Sequence, residues 1–230
     1  DLNRSFPGTP KGSQAGRVAH MFMTEIVARC DFGIDLHTGS NFRSNLPQIR
    51  ACLDDEQTIE MATEFGTPVV VPSELREGSL REAVASLGKP VLVYEGGESL
   101  YFNEAVIRTG LRGTLNAMRH IGMLPLSRKT RPVSPVLADS TSWVRAPESG
   151  IVIPRVELGS RVTEGDVLAV IGDPVSDEEA LVKAPFDGII IGQSKLPLAH
   201  EGDALFNVAA FKSVSRAENR VEEFAAVHGA

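Results

Sequence analysis

The sequence predicts an α/β protein: a mostly parallel sheet with helices on both faces, followed by a small all-β domain. Three observations carry this. Strand-sized apolar runs alternate with helical apolar patterns through residue 121. A proline-bearing stretch then breaks the rhythm. Beyond it, a short Ala-Pro-x-x-Gly motif occurs twice, each time before an apolar strand.

The elements follow in order. Gln14 to Arg29 reads as a helix with Val18, Phe22, Ile26 and Val27 on one face and His20 off its centre. Asp31 to His37 reads as a strand. Asp54 to Phe65 reads as a helix stopped by Gly66, with the strand Thr67 to Val71 after it. Ser79 to Leu87 repeats the pattern, stopped by Gly88 and followed by the strand Pro90 to Tyr94. Val106 to Ile121 is a last helix, with Leu111, Leu115 and Met118 in register and Gly122 at its end. In such sheets ligands gather at the carboxyl ends of strands, where His37 and Glu95 both fall.

Residues 1–125 therefore form the α/β domain, and 126–139, with Pro132 and Pro135, a linker. Residues 140–210 form a β barrel or sandwich of two similar halves, and 211–230 a tail. The halves are marked by Ala146-Pro147-Glu148-Ser149-Gly150-Ile151-Val152 and Ala184-Pro185-Phe186-Asp187-Gly188-Ile189-Ile190. Each is followed by a glycine turn signal, Glu164-Gly165-Asp166 or Glu201-Gly202-Asp203. In the tail, Val221, Phe224 and Ala225 share a helical face, which suits a packed helix or a frayed end.

Composition narrows the class. Apolar residues make up 42% of the chain, ordinary for a soluble globular protein. No apolar run approaches a membrane span. Lys and Arg number 14 against 15 Asp and Glu through residue 130, and 9 against 15 after it, so the net charge of −7 sits mostly in the second part. No basic run argues for nucleic acid as a partner. Cys30 and Cys52 make no C-x-x-C pair and read as buried thiols, which favours a reducing cytoplasm.

Asp35 and His37 stand two apart on a strand and project to the same side. A carboxylate beside an imidazole fixes the tautomer and raises the basicity of a metal-binding His, although Asp35 could equally orient another group. Alone, a strand-end His bonded locally is the plainer reading. Glu95 ends an apolar strand before Gly96-Gly97 and is a candidate to move a proton near a metal-bound water. Alone, a salt-bridged structural Glu is again plainer. Asn3-Arg4 places an amide beside a planar guanidinium, suited to grip a carboxylate. Arg43 and Arg50 are further candidates to hold an anion, each a surface arginine if taken singly.

Taken together, Asp1-Leu2-Asn3-Arg4-Ser5-Phe6-Pro7-Gly8, Asp35-Leu36-His37-Thr38-Gly39 and Tyr94-Glu95-Gly96-Gly97 closely resemble the succinylglutamate desuccinylase/aspartoacylase family, relatives of the zinc carboxypeptidases. The resemblance implies a Zn²⁺-dependent deacylase cleaving the amide of an N-acyl amino acid or similar small carboxylate. It implies His37 as the third zinc ligand, Asp35 behind it, Glu95 as general acid/base, and Asn3 and Arg4 on the substrate carboxylate. The family's other zinc ligands, an H-x-x-E pair, and an oxyanion arginine lie upstream of the D-L-N-R motif. Positions three beyond His20, His120 and His200 hold Met23, Met123 and Asp203, so the chain reads as lacking its N-terminal piece and as a poor zinc binder alone.

Two other readings stay open: a metallocarboxypeptidase acting on peptides, and a non-catalytic carrier or interaction module built on the C-terminal repeat. That repeat resembles the biotinyl/lipoyl carrier fold. The modified lysine of such domains would fall at Asp177, and Lys183 directly precedes Ala184 instead, so covalent cofactor attachment is not expected. A homo-oligomer is compatible with the sequence, and nothing in it fixes the number of copies.

Overall fold

A computed structural model describes residues 1–40, 42–126, 134–176 and 178–228, with the side chain of His228 left aside. Half of the expected linker, residues 127–133, and the hairpin position Asp177 lie outside the described residues.

The chain opens on a 3₁₀ turn, Leu2–Arg4, capped by Asp1, whose Oδ1 accepts from Asn3 N–H at 2.9 Å. Helix α1 (Gln14–Glu25) is capped by Ser13 and gives way to a 3₁₀ turn at Val27–Arg29. Its buried line is Ala19 and Met23, continued by Val27, one residue round from the predicted face, so Val18 and Ile26 stay largely exposed. The helix packs on Phe6, Val84 and Val91, and Phe22 meets Phe6 edge-on at 6.2 Å.

Strand β1 (Gly33–Gly39) turns sharply into β2 (Arg43–Ala51). Gly39 has no room for a side chain, because a Cβ there would lie 2.1 Å from Arg43 O across that turn. Helix α2 (Glu56–Phe65) starts at an Asp55 cap and stops at Gly66, which is left-handed at φ 93°. Strand β3 (Val69–Pro72), helix α3 (Leu80–Ala85), strand β4 (Val91–Glu98) and helix α4 (Glu104–His120) follow. Helix α4 buries its small residues Thr109, Gly110, Gly113 and Ala117, while Leu111 of the predicted apolar register is 61% exposed. The small face lets the helix lie close over Phe65 and Tyr94, whose rings stack at 5.4 Å.

Beyond the undescribed stretch come β5 (Val136–Leu137), β6 (Ser140–Arg145), β7 (Gly150–Pro154), β8 (Arg161–Val162) and β9 (Val167–Gly172). They are followed by β10 (Glu179–Lys183), β11 (Gly188–Ser194), β12 (Leu198–Ala199), β13 (Ala204–Ala210) and α5 (Val214–His228). The tail is thus a packed helix, its Ala217 and Val221 set against β11 and Phe211.

The sheet is mixed rather than mostly parallel. Nine strands form it: six run in the order β1-β4-β2-β11-β13-β6, β3 pairs with β2, β5 with β3, and β8 with β11. Only β1/β4, β2/β3 and β3/β5 are parallel pairs among the described residues. The tight turn after Gly39 reverses the chain, so β2 runs antiparallel to the β4 strand it joins. Helices α2 and α4 cover one face over Ile49, Ala51, Leu92 and Tyr94.

The residues assigned to the small β domain divide between two sheets. Strands β11 and β13 extend the large sheet, β11 pairing directly with β2 through Gly192↔Asn45 and Gln193↔Ser44. A four-stranded sheet, β10-β9-β7-β12, packs over them around Leu168, Ile171, Ile190 and Phe206. Ile190 faces this core while Ile189 and Ile191 face α5, which explains the unbroken isoleucine run.

The two copies of the repeat clasp each other. Gly202 N–H donates to Ala146 O (2.9 Å) and Ala146 N–H to Asp203 O (2.8 Å). In the mirror arrangement Gly165 N–H donates to Ala184 O (2.9 Å) and Ala184 N–H to Asp166 O (2.9 Å). His200 belongs to one of these turns, its N–H donating to Asp203 Oδ2 at 2.8 Å as Thr163 N–H does to Asp166 Oδ2. Lys183 ends strand β10, opposite Val167.

Candidate active site

Register builds the site. Asp35, Val93 and Arg50 form one row across β1, β4 and β2, and His37, Glu95 and Gln48 form the next. Paired residues share a face of a sheet, as do residues two apart on a strand. The face carrying them is opposite the one covered by α2 and α4. Leu36 between Asp35 and His37 points the other way and is 59% exposed, because β1 is the end strand of the sheet order.

His37 Nε2 lies 2.8 Å from Asp35 Oδ2. That hydrogen bond, against the opposing effect of burial, raises the imidazole pKa above its ordinary 6.5. It also leaves Nδ1 as the nitrogen free to bind. Glu95 is anchored by Asn45, whose Nδ2 donates to Oε2 at 2.6 Å. Its Oε1 lies 3.5 Å from Arg50 Nε as an ion pair without a hydrogen bond, so that buried N–H has no hydrogen-bond partner.

These groups open into a pocket of about 220 Å³. Four guanidinium groups line it, from Arg4, Arg50, Arg76 and Arg81, against the carboxylates of Asp35, Glu74 and Glu95. Asp35 is engaged by His37 and Glu95 by Asn45, so the cavity favours an anionic guest. Arg81 donates through Nη2 to Ser73 Oγ at 2.9 Å, while its buried Nη1 has no partner. Burial first, then the neighbouring Arg50 charge, lowers the Arg81 pKa. Two guanidinium groups held this close with unpaired N–H groups suit a carboxylate between them.

The structure brings six of the seven sequence candidates to the pocket wall: Asn3, Arg4, Asp35, His37, Arg50 and Glu95 line it. Asn3 also has a scaffold task, its Oδ1 accepting from Leu80 N–H at 2.9 Å at the start of α3. Arg43 is not there; its guanidinium lies 4.6 Å from the centre of the Trp143 ring. Neither thiol is fully buried, since Cys30 is exposed at the end of the 3₁₀ turn and Cys52 is half-buried beside Asp54. Asn45, Arg76 and Arg81 were not found by motif. The alternation of Gln48 and Arg50 with buried Ile49 and Ala51 was the available signal for β2.

Among the described residues no three His, Cys, Asp or Glu side chains group closely enough to hold a metal ion. His37, backed by Asp35, has the chemistry of a single zinc donor, but a catalytic zinc needs about three protein donors plus water. The residues present therefore do not make a zinc site by themselves. No helix among the described residues is long and apolar enough to cross a membrane.

A sheet-borne His–Asp pair, an anchored glutamate and four arginines thus meet in one cavity. Residues 1–121 match the succinylglutamate desuccinylase/aspartoacylase catalytic domain, and the chain belongs to that family. It is 30% identical over 223 residues to the N-alpha-acetyl-L-2,4-diaminobutyric acid deacetylase of Halomonas elongata, covering 91% of this chain and 65% of that one. It thus spans less than two thirds of that curated relative's length. Its fold is that of the ectoine utilization protein EutE of Ruegeria pomeroyi in the apo form (TM-score 0.83, 22% identity, 91% of this chain and 70% of that one). It is shared equally with a succinylglutamate desuccinylase/aspartoacylase of Rhodobacter sphaeroides (TM-score 0.82, 23% identity, 93% and 68%).

Proposed function

We propose that the protein acts as a deacylase on an N-acyl amino acid or a similar small carboxylate, hydrolysing its amide bond. The observation that carries this reading is the meeting of Glu95 and His37 in one row of the sheet, beside Arg50 and Arg81, in a single pocket. The deacetylase named among its relatives supports the reaction class.

In this reading Arg4, Arg50 and Arg81 receive the substrate carboxylate, with the Asn3 amide beside Arg4. Glu95, its Oε2 fixed by Asn45, takes a proton from the attacking water as the new C–O bond forms. It then delivers that proton to the amide nitrogen as the C–N bond breaks, leaving a carboxylate and a free amine. Zinc is the metal we propose for the enzyme, with His37 Nδ1 as its one donor here; bound, it would polarise the acyl carbonyl and acidify the water. Because the described residues offer one donor only, the steps above rest on the protein groups alone. A cytoplasmic setting and a small-molecule substrate belong to the same proposal.

The test is Glu95→Gln. Hydrolysis of N-acetyl amino acids should fall by about 10²–10⁴-fold with folding unchanged. Undiminished turnover would remove Glu95 from the mechanism.

A further inference from the structure

We propose that Asn207, on β13 of the C-terminal repeat, is a positioning residue that holds the Arg50 guanidinium against Glu95 and toward the pocket. Asn207 does not line the pocket and is 1% exposed. Only one orientation of its amide satisfies its neighbours: Oδ1 accepts from Arg50 Nη2 at 3.3 Å, and Nδ2 donates to Ser142 O at 3.2 Å. Arg50 is then fixed at one end by Asn207 and set at the other with Nε 3.5 Å from Glu95 Oε1.

The strand between makes this reach available. Gly192 of β11 pairs with Asn45 on one side and Asn207 on the other. A Cβ at Gly192 would lie 3.0 Å from Asn45 Oδ1, 3.1 Å from Asn207 Cβ and 3.3 Å from the Trp143 ring. With no side chain there, Asn45 and Asn207 approach from both flanks. Asn45 fixes Glu95 and Asn207 fixes Arg50, so the two halves of the chain each hold one member of the pair.

The choice of an amide has a chemical consequence. A carboxylate at 207 would neutralise Arg50, whereas a neutral acceptor orients the guanidinium and leaves its charge for an anion. The buried Arg50 Nε–H without a hydrogen-bond partner fits a group kept for a ligand, since a permanently unpaired one is costly.

This inference rests on the proposed carboxylate-binding role of Arg50, and the experiment separates the two. Asn207→Leu, Arg50→Met and the double variant are compared by thermal unfolding without ligand and by calorimetric titration with N-acetyl-L-alanine. Val208→Ala, a buried apolar change on the same strand, serves as a packing control. Asn207→Leu should weaken the probe about tenfold, and it should add nothing further in the Arg50→Met background. Val208→Ala should lower the melting temperature without moving probe affinity. Unchanged affinity in Asn207→Leu, or an equal loss with and without Arg50, would overturn the inference. If the parent protein binds no carboxylate probe, the role of Arg50 fails, and the unfolding cycle still decides whether Asn207 holds it: non-additive shifts support the contact, additive ones refute it.

Discussion

Asn45 Nδ2 donates to Glu95 Oε2 at 2.6 Å across antiparallel strands β2 and β4, and the donor is 7% exposed. The carboxylate that the sequence marks as the proton carrier therefore has a fixed orientation. Asn45→Leu keeps the size and removes the donor. Turnover should fall about tenfold, mainly in kcat. A pure stability loss with normal kcat would show that Asn45 serves packing alone.

Arg81 is held by Ser73 Oγ and Glu74 O and repelled by Arg50, so its removal relieves one strain while losing two contacts. Arg81→Met should weaken carboxylate binding about tenfold with a melting temperature close to the parent's. Arg81→Lys should not restore binding, because a single ammonium lacks the planar fork. Restoration by lysine would point to charge alone.

In metal-free protein, His37 should titrate above 6.5, and Asp35→Asn should bring it down. The sign follows from the raised folded pKa: the His37–Asp35 contribution to stability is fully present below 6.5 and is lost as pH rises through the folded value. NMR of the imidazole resonances measures both. An unshifted titration in Asp35→Asn would show that the pair does not govern His37.

Asp55 caps α2, its Oδ2 accepting from Thr58 N–H (2.8 Å) and Thr58 Oγ1–H (2.7 Å). Those bonds lower its pKa from the ordinary 3.8. Asp55→Ala should cost about 1 kcal/mol at neutral pH. Because the folded pKa is depressed, that difference should shrink as pH falls through it, so variant and parent converge in acid denaturation curves. A constant gap would assign the loss to something other than the carboxylate.

With one donor in reach, the dialysed chain should retain well below one equivalent of zinc by metal analysis. Stoichiometric zinc would mean that the ligand set differs from the one proposed.

Local signals in the sequence carried the caps, the helix stops and the strand ends that bear His37 and Glu95, since each depends on residues close in the chain. The place of β2 was not legible. Pro47 interrupts the strand where the pairing with β4 shifts register, and Asn45, Gln48 and Arg50 break its apolar pattern, being matched by partners distant in the chain: Glu95, Ile191 and Asn207. The contribution of Asn207 was equally hidden, because it depends on β11 joining β2 across 143 residues, as the Gln48 Nε2 to Ile191 O bond does. The exposed Leu111 shows the reverse error, an apolar period that the packing against Phe65 did not use.

The reciprocal clasp of Ala146 by the Gly202 turn and of Ala184 by the Gly165 turn means that neither copy of the repeat is a self-sufficient part. Each half carries the latch for the other. A ribosome that has delivered only the first copy holds a chain whose Ala146 backbone groups have nothing to close on, and the closure comes only when the residues near 202 emerge. Strand β11, the one that pairs with β2, sits in the chain between those two latches. The order of synthesis thus delays the pairing of β11 with β2, and a premature stop before Gly188 leaves β2 without that neighbour.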